Sequence, residues 1–427
     1  MFKHRIGAGL ALIVLAGGAG ACGGSAQTAQ SPSSSAGGQA TGHGSPSNAI
    51  NIYDIGPNPG APLDPTSGQA GVEAAVQEIN NNGGINGRPI HVTYCNAITS
   101  SATLETQCVQ SAIADSAVVA DIGHFSTFDQ GDPIELAAGL AVSGTTVAPG
   151  DNTPANSFPL NVGTIQTEGQ AAGAVQLLNA KRLCYAYVDV PGVGGQATLI
   201  NQWILQPRHL SLDKSIALPF AASDLSPQAA QASGCDAIVL TSPTGQSIQY
   251  IEAVRAVGND VPIICGTSIG PSVLQQALGS SPRNIYAVGE FYRNSPGFAQ
   301  YEKDMSSLKY ANTQYDNDNS VMTWAAVKEF AAIAKNLPAV TRQAVLAAYK
   351  KQSKVTTMGL SPVLNLTVPQ SGAGGAYPAV RNDTTVLYKY DAGSFHFIGN
   401  SQSPFIQVMP GGNTAVALEE APFAATP

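Results

Sequence analysis

The clearest pattern of apolar and polar positions runs from Gly68 to Val92. Val72, Ala75, Val76 and Ile79 recur at i, i+3, i+4 and i+7, which gathers them on one face of a helix. Thr66 or Ser67 supplies a hydroxyl to cap its start, and Gly83 and Gly84 supply the left-handed backbone that stops it. Pro89 then breaks the helical period, and Ile90 to Tyr94 alternates as a strand does. A short strand at 49–55 precedes the helix. The unit is strand–helix–strand, which implies a parallel sheet with helices outside it.

The same rhythm continues. Helices are predicted at 101–114, with Leu104, Cys108, Val109 and Ala112 facing inward, and at 134–140; strands are predicted at 117–123 and 144–148. A second series follows residue 162. Its helices fall at 169–179, 195–205, 227–233 and 247–257, and its strands at 182–189, 215–218, 236–240, 261–265 and 284–288. Three further helices cover 299–308, 321–335 and 341–351, and 384–390 pairs with 395–397 around Asp391 to Gly393. Residues 49–427 exceed what one core usually holds. The expected fold class is α/β, two similar doubly wound parallel-sheet lobes joined by a multi-crossing hinge. Lobe I takes 49–162 with 322–365, lobe II takes 163–321 with 380–410, and 411–427 is a loose tail. The crossings fall near 160–165, 316–322 and 365–382.

The first 21 residues stand apart from this pattern. Lys3, His4 and Arg5 precede a short apolar run from Gly7 to Ala16 and a small-residue cleavage site at Ala19 to Ala21, the layout of an export signal. The run is too short to span a membrane. Cys22, followed by Gly23, Gly24 and Ser25, resembles a bacterial lipobox, in which the cysteine carries a diacylglycerol anchor. The alternative is an ordinary secretory signal beside an unmodified cysteine. Residues 23–48 are Ser, Gly, Ala, Gln, Thr and Pro with almost no charge, so they read as a flexible tether. The whole chain is 44% hydrophobic and 11% charged with a net charge of −8. An acidic balance without a Lys/Arg cluster argues against nucleic acid and against an anionic lipid surface. The expected product is an exported, membrane-anchored monomer that faces away from the cytoplasm.

Six cysteines are present, including Cys22. Cys95 and Cys108, at a strand end and in the next helix, lie close enough to bridge in an oxidising compartment. Cys184 and Cys235 each open a strand, and those strands are neighbours in a doubly wound sheet. They form a second bridge, leaving Cys265 free, or all three remain buried thiols. His124, Ser126 and Asp129 share one loop, whereas hydrolytic triads draw on separate elements, and no G-x-S-x-G elbow occurs. The glycines at 192, 194 and 195 match a dinucleotide fingerprint only loosely. His91, His124, His209 and His396 show no metal-ligand spacing, and no Cys-x-x-Cys occurs. Neither a metal, a cofactor nor an enzyme is indicated. Ligands of open α/β sheets bind beyond the carboxyl ends of the strands. Here those places are the loops 124–129, 149–153, 190–195, 241–245 and 266–270, rich in small hydrogen-bonding residues such as Ser242 and Thr244.

The helix closing on Glu78, Ile79 and Asn80, followed by Gly83 to Ile90, resembles the opening of type I periplasmic solute-binding proteins. The nearest group is the branched-chain amino-acid-binding proteins of ABC importers. The resemblance covers residues 50–400 and is most specific over 71–90. It implies a binding protein that closes around a small molecule and presents it to permease subunits. It also implies a bridge between Cys95 and Cys108. In lobe I it implies ligand contacts from Ser126 and Thr127, with Phe128 in the same loop, and from Gly150 and Asn152. Lobe II departs from the family. The aromatic after its first strand falls at Val193 and Gly194, and the carboxylate that pairs a ligand ammonium falls at Thr267. An ammonium buried there would lack its counter-charge, unless Glu290 supplies it. The expected ligand is therefore a neutral or anionic small molecule, such as a carboxylate, amide or aromatic acid. The alternatives are a branched-chain amino acid, or a ligand-sensing lipoprotein with no transporter.

Overall fold

β-Branched and aromatic residues between turn signals form the strands, and apolar periodicity of 3.6 forms the helices that cover them. The computed structural model describes residues 47–56, 66–97, 101–126, 128–146, 149–190, 192–279, 283–308 and 317–427. The export signal, Cys22, most of the tether and Thr127 lie outside these residues. The first series is β1 (Ile50–Gly56), α1 (Thr66–Asn81), β2 (Ile90–Asn96), α2 (Ala102–Ala114), β3 (Val118–Ser126), α3 (Asp132–Ala138) and β4 (Ala141–Thr146). Its four strands are parallel in the order β2-β1-β3-β4. Gly84 shows why α1 stops where it does. Its φ of 70° is left-handed, and a Cβ there would fall 2.1 Å from the Arg88 carbonyl oxygen.

The second series is α4 (Gln166–Gln176), β5 (Leu183–Val188), α5 (Gln196–Leu199), β6 (Leu212–Leu218), α6 (Ser226–Gln231), β7 (Ala237–Thr241), α7 (Thr244–Ala256), β8 (Ile263–Gly266), α8 (Pro271–Leu278) and β9 (Ile285–Gly289). The parallel part runs β6-β5-β7-β8-β9, so each sheet places its second strand outside its first, then its third and fourth. The shared order makes the lobes similar, as expected from their common rhythm. α5 was expected to run regularly to 205, but it widens into a π turn over Ile200–Leu205.

Then come α9 (Pro296–Ser306), α10 (Asp318–Ala334), α11 (Arg342–Tyr349), β10 (Lys354–Thr356), β11 (Thr384–Asp391), β12 (Ser394–Ile398), β13 (Ile406–Gln407) and β14 (Ala424–Thr426). β11 extends the second sheet antiparallel to β9 and makes the expected hairpin with β12. α10 is buried almost all round, its polar residues Asp318, Ser320, Thr323 and Glu329 included. Val321, Trp324, Val327 and Phe330 have no exposed surface and join the core of the first sheet.

Two boundaries are corrected. α9, expected in lobe II, puts Phe298, Tyr301 and Met305 into the first sheet's core, and Trp324 Nε1 donates to Asp304 Oδ2 at 3.0 Å. The chain therefore crosses between lobes just after β9, ahead of the expected 316–322. The tail is not loose. β14 pairs antiparallel with β10, Ala425 is buried, and Phe423 meets the Trp324 ring edge-on at 5.5 Å. The tail escaped notice because three residues of strand show no period and take their partner from 70 residues upstream.

Both pairs of cysteines are bridged. Cys95–Cys108 joins β2 to α2 with Cα atoms 5.6 Å apart, and Cys184–Cys235 joins β5 to the segment before β7 with Cα atoms 5.9 Å apart. Cys265 keeps a buried thiol that burial pushes up to about 12.

Candidate ligand-binding site

The parallel strands end on loops, and these carry the residues singled out above. In lobe I, β3 ends at Ser126 and β4 is followed by a tight 3-10 turn, Pro149–Asn152. A Cβ on Gly150 would lie 2.3 Å from the Asp129 Cβ, so glycine at 150 lets the two loops touch. Asn152 is fully buried, and its carbonyl accepts from the Ala379 N–H at 2.9 Å, which ties this turn to the third crossing. Asn382 Nδ2 donates to the Leu160 carbonyl at 2.9 Å and ties the first crossing to the third. His124 does not join Ser126 and Asp129 in a relay. Its Nδ1 lies 2.7 Å from Asp121 Oδ2.

In lobe II, the turn Val193–Gly195 follows β5. The Tyr185 hydroxyl donates to the Val193 carbonyl at 3.0 Å, and a Cβ on Gly194 would lie 3.0 Å from the Tyr187 ring. Tyr185 and Tyr187 stack at 5.0 Å, so aromatic rings underlie the turn although the turn itself has none. Ser242 shares a 2.7 Å hydrogen bond with Ser247, and Thr244 opens α7.

A third group forms where the chain leaves β9. Thr267 is fully buried, and its hydroxyl donates to Asp318 Oδ2 at 2.5 Å. The Glu290 N–H donates to the same oxygen at 2.7 Å, and Arg293 Nη2 donates to Asp318 Oδ1 at 2.7 Å. The arginine also lies over the Phe298 and Phe395 rings at 5.1 and 5.2 Å. Asp318 therefore meets its charge partner inside the protein. Burial, then the Asp318 charge, pushes the Glu290 carboxyl up to about 8, with a hydrogen bond from Asn161 opposing. At neutral pH Glu290 is mostly protonated.

Sequence reading missed Asp318, Arg293 and Glu168. Glu168, in the first turn of α4, is fully buried with neither oxygen hydrogen-bonded, and burial pushes it up to about 8. An acidic residue in a first helical turn ordinarily signals an exposed, dipole-favoured position, so nothing in the local sequence announced its burial.

Two sheets whose parallel parts share one strand order, chained by several crossings and bearing polar loops at their strand ends, define a type I periplasmic binding protein. The family model described as periplasmic binding protein matches residues 59–367, and the chain belongs to that family. The family is one of solute-binding proteins rather than enzymes and works outside the cytoplasm. The fold is similar to that of the branched-chain amino acid transporter substrate binding protein LivJ from Streptococcus pneumoniae, in complex with isoleucine. That match has 18% identity over 85% of this chain and 100% of that one, at a TM-score of 0.62. A fatty acid ABC transporter substrate-binding protein from Thermomonospora curvata is similar at 17% identity, over 87% of this chain and 98% of that one, at 0.64. A putative branched-chain amino acid ABC transporter from Silicibacter pomeroyi is similar at 14% identity, over 89% and 99%, at 0.67. No curated protein matches the chain.

Proposed function

We propose that this chain is a lipoprotein, anchored through Cys22, that captures a small neutral or anionic molecule between its lobes and delivers it to an ABC importer. Ser126, Thr127, Phe128, Gly150 and Asn152 contribute from lobe I, and Val193, Gly194, Ser242 and Thr244 from lobe II. Rotation about the crossings closes the lobes over the ligand. One observation carries the choice of ligand class. The carboxylate bonded to Thr267 is Asp318, which Arg293 already neutralises, and Glu290 is held neutral by burial. A ligand ammonium would find no free anion among these three groups, and a buried unpaired ammonium is costly.

A thermal-shift screen of the body from residue 26 onward tests this against amino acids, amides, carboxylates and aromatic acids. A true ligand at about 100 times its dissociation constant stabilises by about 2.7 kcal/mol. A carboxylate or amide is expected to give the largest shift. Leucine, isoleucine or valine giving it instead would overturn the ligand class. In that case Glu290→Gln should abolish the shift, because Glu290 would then carry the ammonium. A transport role further requires that deletion of the gene lower uptake of the ligand; unchanged uptake would favour sensing without transport.

A further inference from the structure

A cavity in lobe I gathers an imidazole, three carboxyl groups and an amide. It lies between β3, the start of α3 and the segment after β4, and is lined by His124, Asp132, Glu135, Asp151 and Asn156 among others. The cavity has room for about one water-sized particle. Among the described residues no lysine or arginine lines it. His124, Glu135, Asp151 and Asn156 are each at most 4% exposed. His124 Nε2, Asp132 Oδ2, Glu135 Oε1 and Asn156 Oδ1 are all buried without a hydrogen-bond partner. An imidazole and carboxyl groups held this close without partners suit one cation, which would displace the protons they carry.

The imidazole is also held as a metal ligand is held. Asp121 Oδ2, 2.7 Å from Nδ1, fixes the ring and leaves Nε2 as the nitrogen that a metal ion would take in place of a proton, the carboxylate–histidine arrangement of metal centres. One ligand atom from each of His124, Asp132 and Asp151 lies within 4.8 Å of the others, close enough for one ion to draw them in with small side-chain shifts. We propose that lobe I binds a single divalent transition-metal ion through His124, Asp132 and Asp151, with Glu135 and Asn156 completing its surroundings. An imidazole with carboxylates suits zinc better than magnesium or calcium, which prefer oxygen alone. The ligands come from a strand, a helix start and a turn, so no short spacing in the sequence reveals them. The proposal rests on these contacts and is independent of the solute reading. Its consequence touches that reading, because His124 and Asp151 flank Ser126, Gly150 and Asn152, and an ion would staple the two loops together.

Zinc alone is the probe. Full-length protein is stripped with a chelator, exposed to stoichiometric zinc, desalted and assayed for metal. The expected result is about one equivalent retained and a raised melting temperature, with His124→Gln and Asp151→Asn retaining none. Asp121→Asn, a positioning change, should weaken zinc binding on the order of 10–100-fold. His209→Gln, remote from the cavity, should retain the full equivalent. Should the His124 or Asp151 variants fail to fold, cobalt added to the wild type decides, since d–d absorption from a nitrogen-and-oxygen site is expected in visible light. Retention well below one equivalent by the wild type, undiminished retention by a folded His124→Gln, or cobalt absorption no different from the free aquo ion would each overturn the proposal.

Discussion

Single side chains here are decided by desolvation more than by charge pairing. Glu168 has no hydrogen-bond partner, and Glu329 accepts only from the Ser143 hydroxyl at 3.2 Å; burial pushes each up to about 8. A carboxyl raised from about 4.5 in the unfolded chain to about 8 in the folded one binds its proton more tightly when folded. It supports the fold fully below the lower value, and that support is lost as pH climbs toward 8. Urea midpoints should therefore fall between pH 5 and pH 8, and Glu168→Gln should flatten the fall. A midpoint independent of pH in the wild type would show that these acids are not buried as described. Little of this was legible beforehand, since the burial of Glu168 comes from contacts across the second lobe. Thr267, by contrast, was recognised as the place where a carboxylate is absent; that Asp318 reaches its hydroxyl from α10 is a tertiary fact.

Among the described elements, α1 packs closely on α10. A Cβ on Gly71 would sit 2.1 Å from the Ser320 carbonyl oxygen, and the Thr323 hydroxyl donates to the Gly68 carbonyl at 2.7 Å. Glycine therefore lowers the helix propensity of α1 and in exchange lets two backbones touch. Gly71→Ala should destabilise by about 1–3 kcal/mol through overpacking, read from chemical denaturation, although alanine is the better helix former. A stabilised variant would mean the helices sit further apart. The periodicity of Val72, Ala75, Val76 and Ile79 was enough to locate α1, because its apolar stripe is wide and its glycine stop is unambiguous. It gave no warning of the π turn after α5. It also could not place α9, whose apolar residues would suit either core equally.

At the scale of the molecule, each lobe carries its own bridge. Cys184 and Cys235 are 51 residues apart and Cys95 and Cys108 only 13. On the loop-entropy view the longer closure contributes about 4 kcal/mol and the shorter about 3 kcal/mol. Removing the Cys184–Cys235 pair should lower the melting temperature more than removing the Cys95–Cys108 pair, and the reverse order would point to enthalpic effects in lobe I. The two-lobed plan was readable because the same β/α rhythm occurs twice. The crossings were less so, because a linker's destination depends on packing rather than on composition.

The pairing of β14 with β10 bears on how the protein is made. Lobe I begins at β1, but α10, α11, β10 and β14 all belong to the same side, so its core closes only when residue 426 has been made. Most of lobe II lies on one continuous run and emerges in the middle. It can condense while the first sheet still waits for its covering helix. The first-made half is thus finished last, and during that interval chaperones would meet the apolar face of β1 to β4.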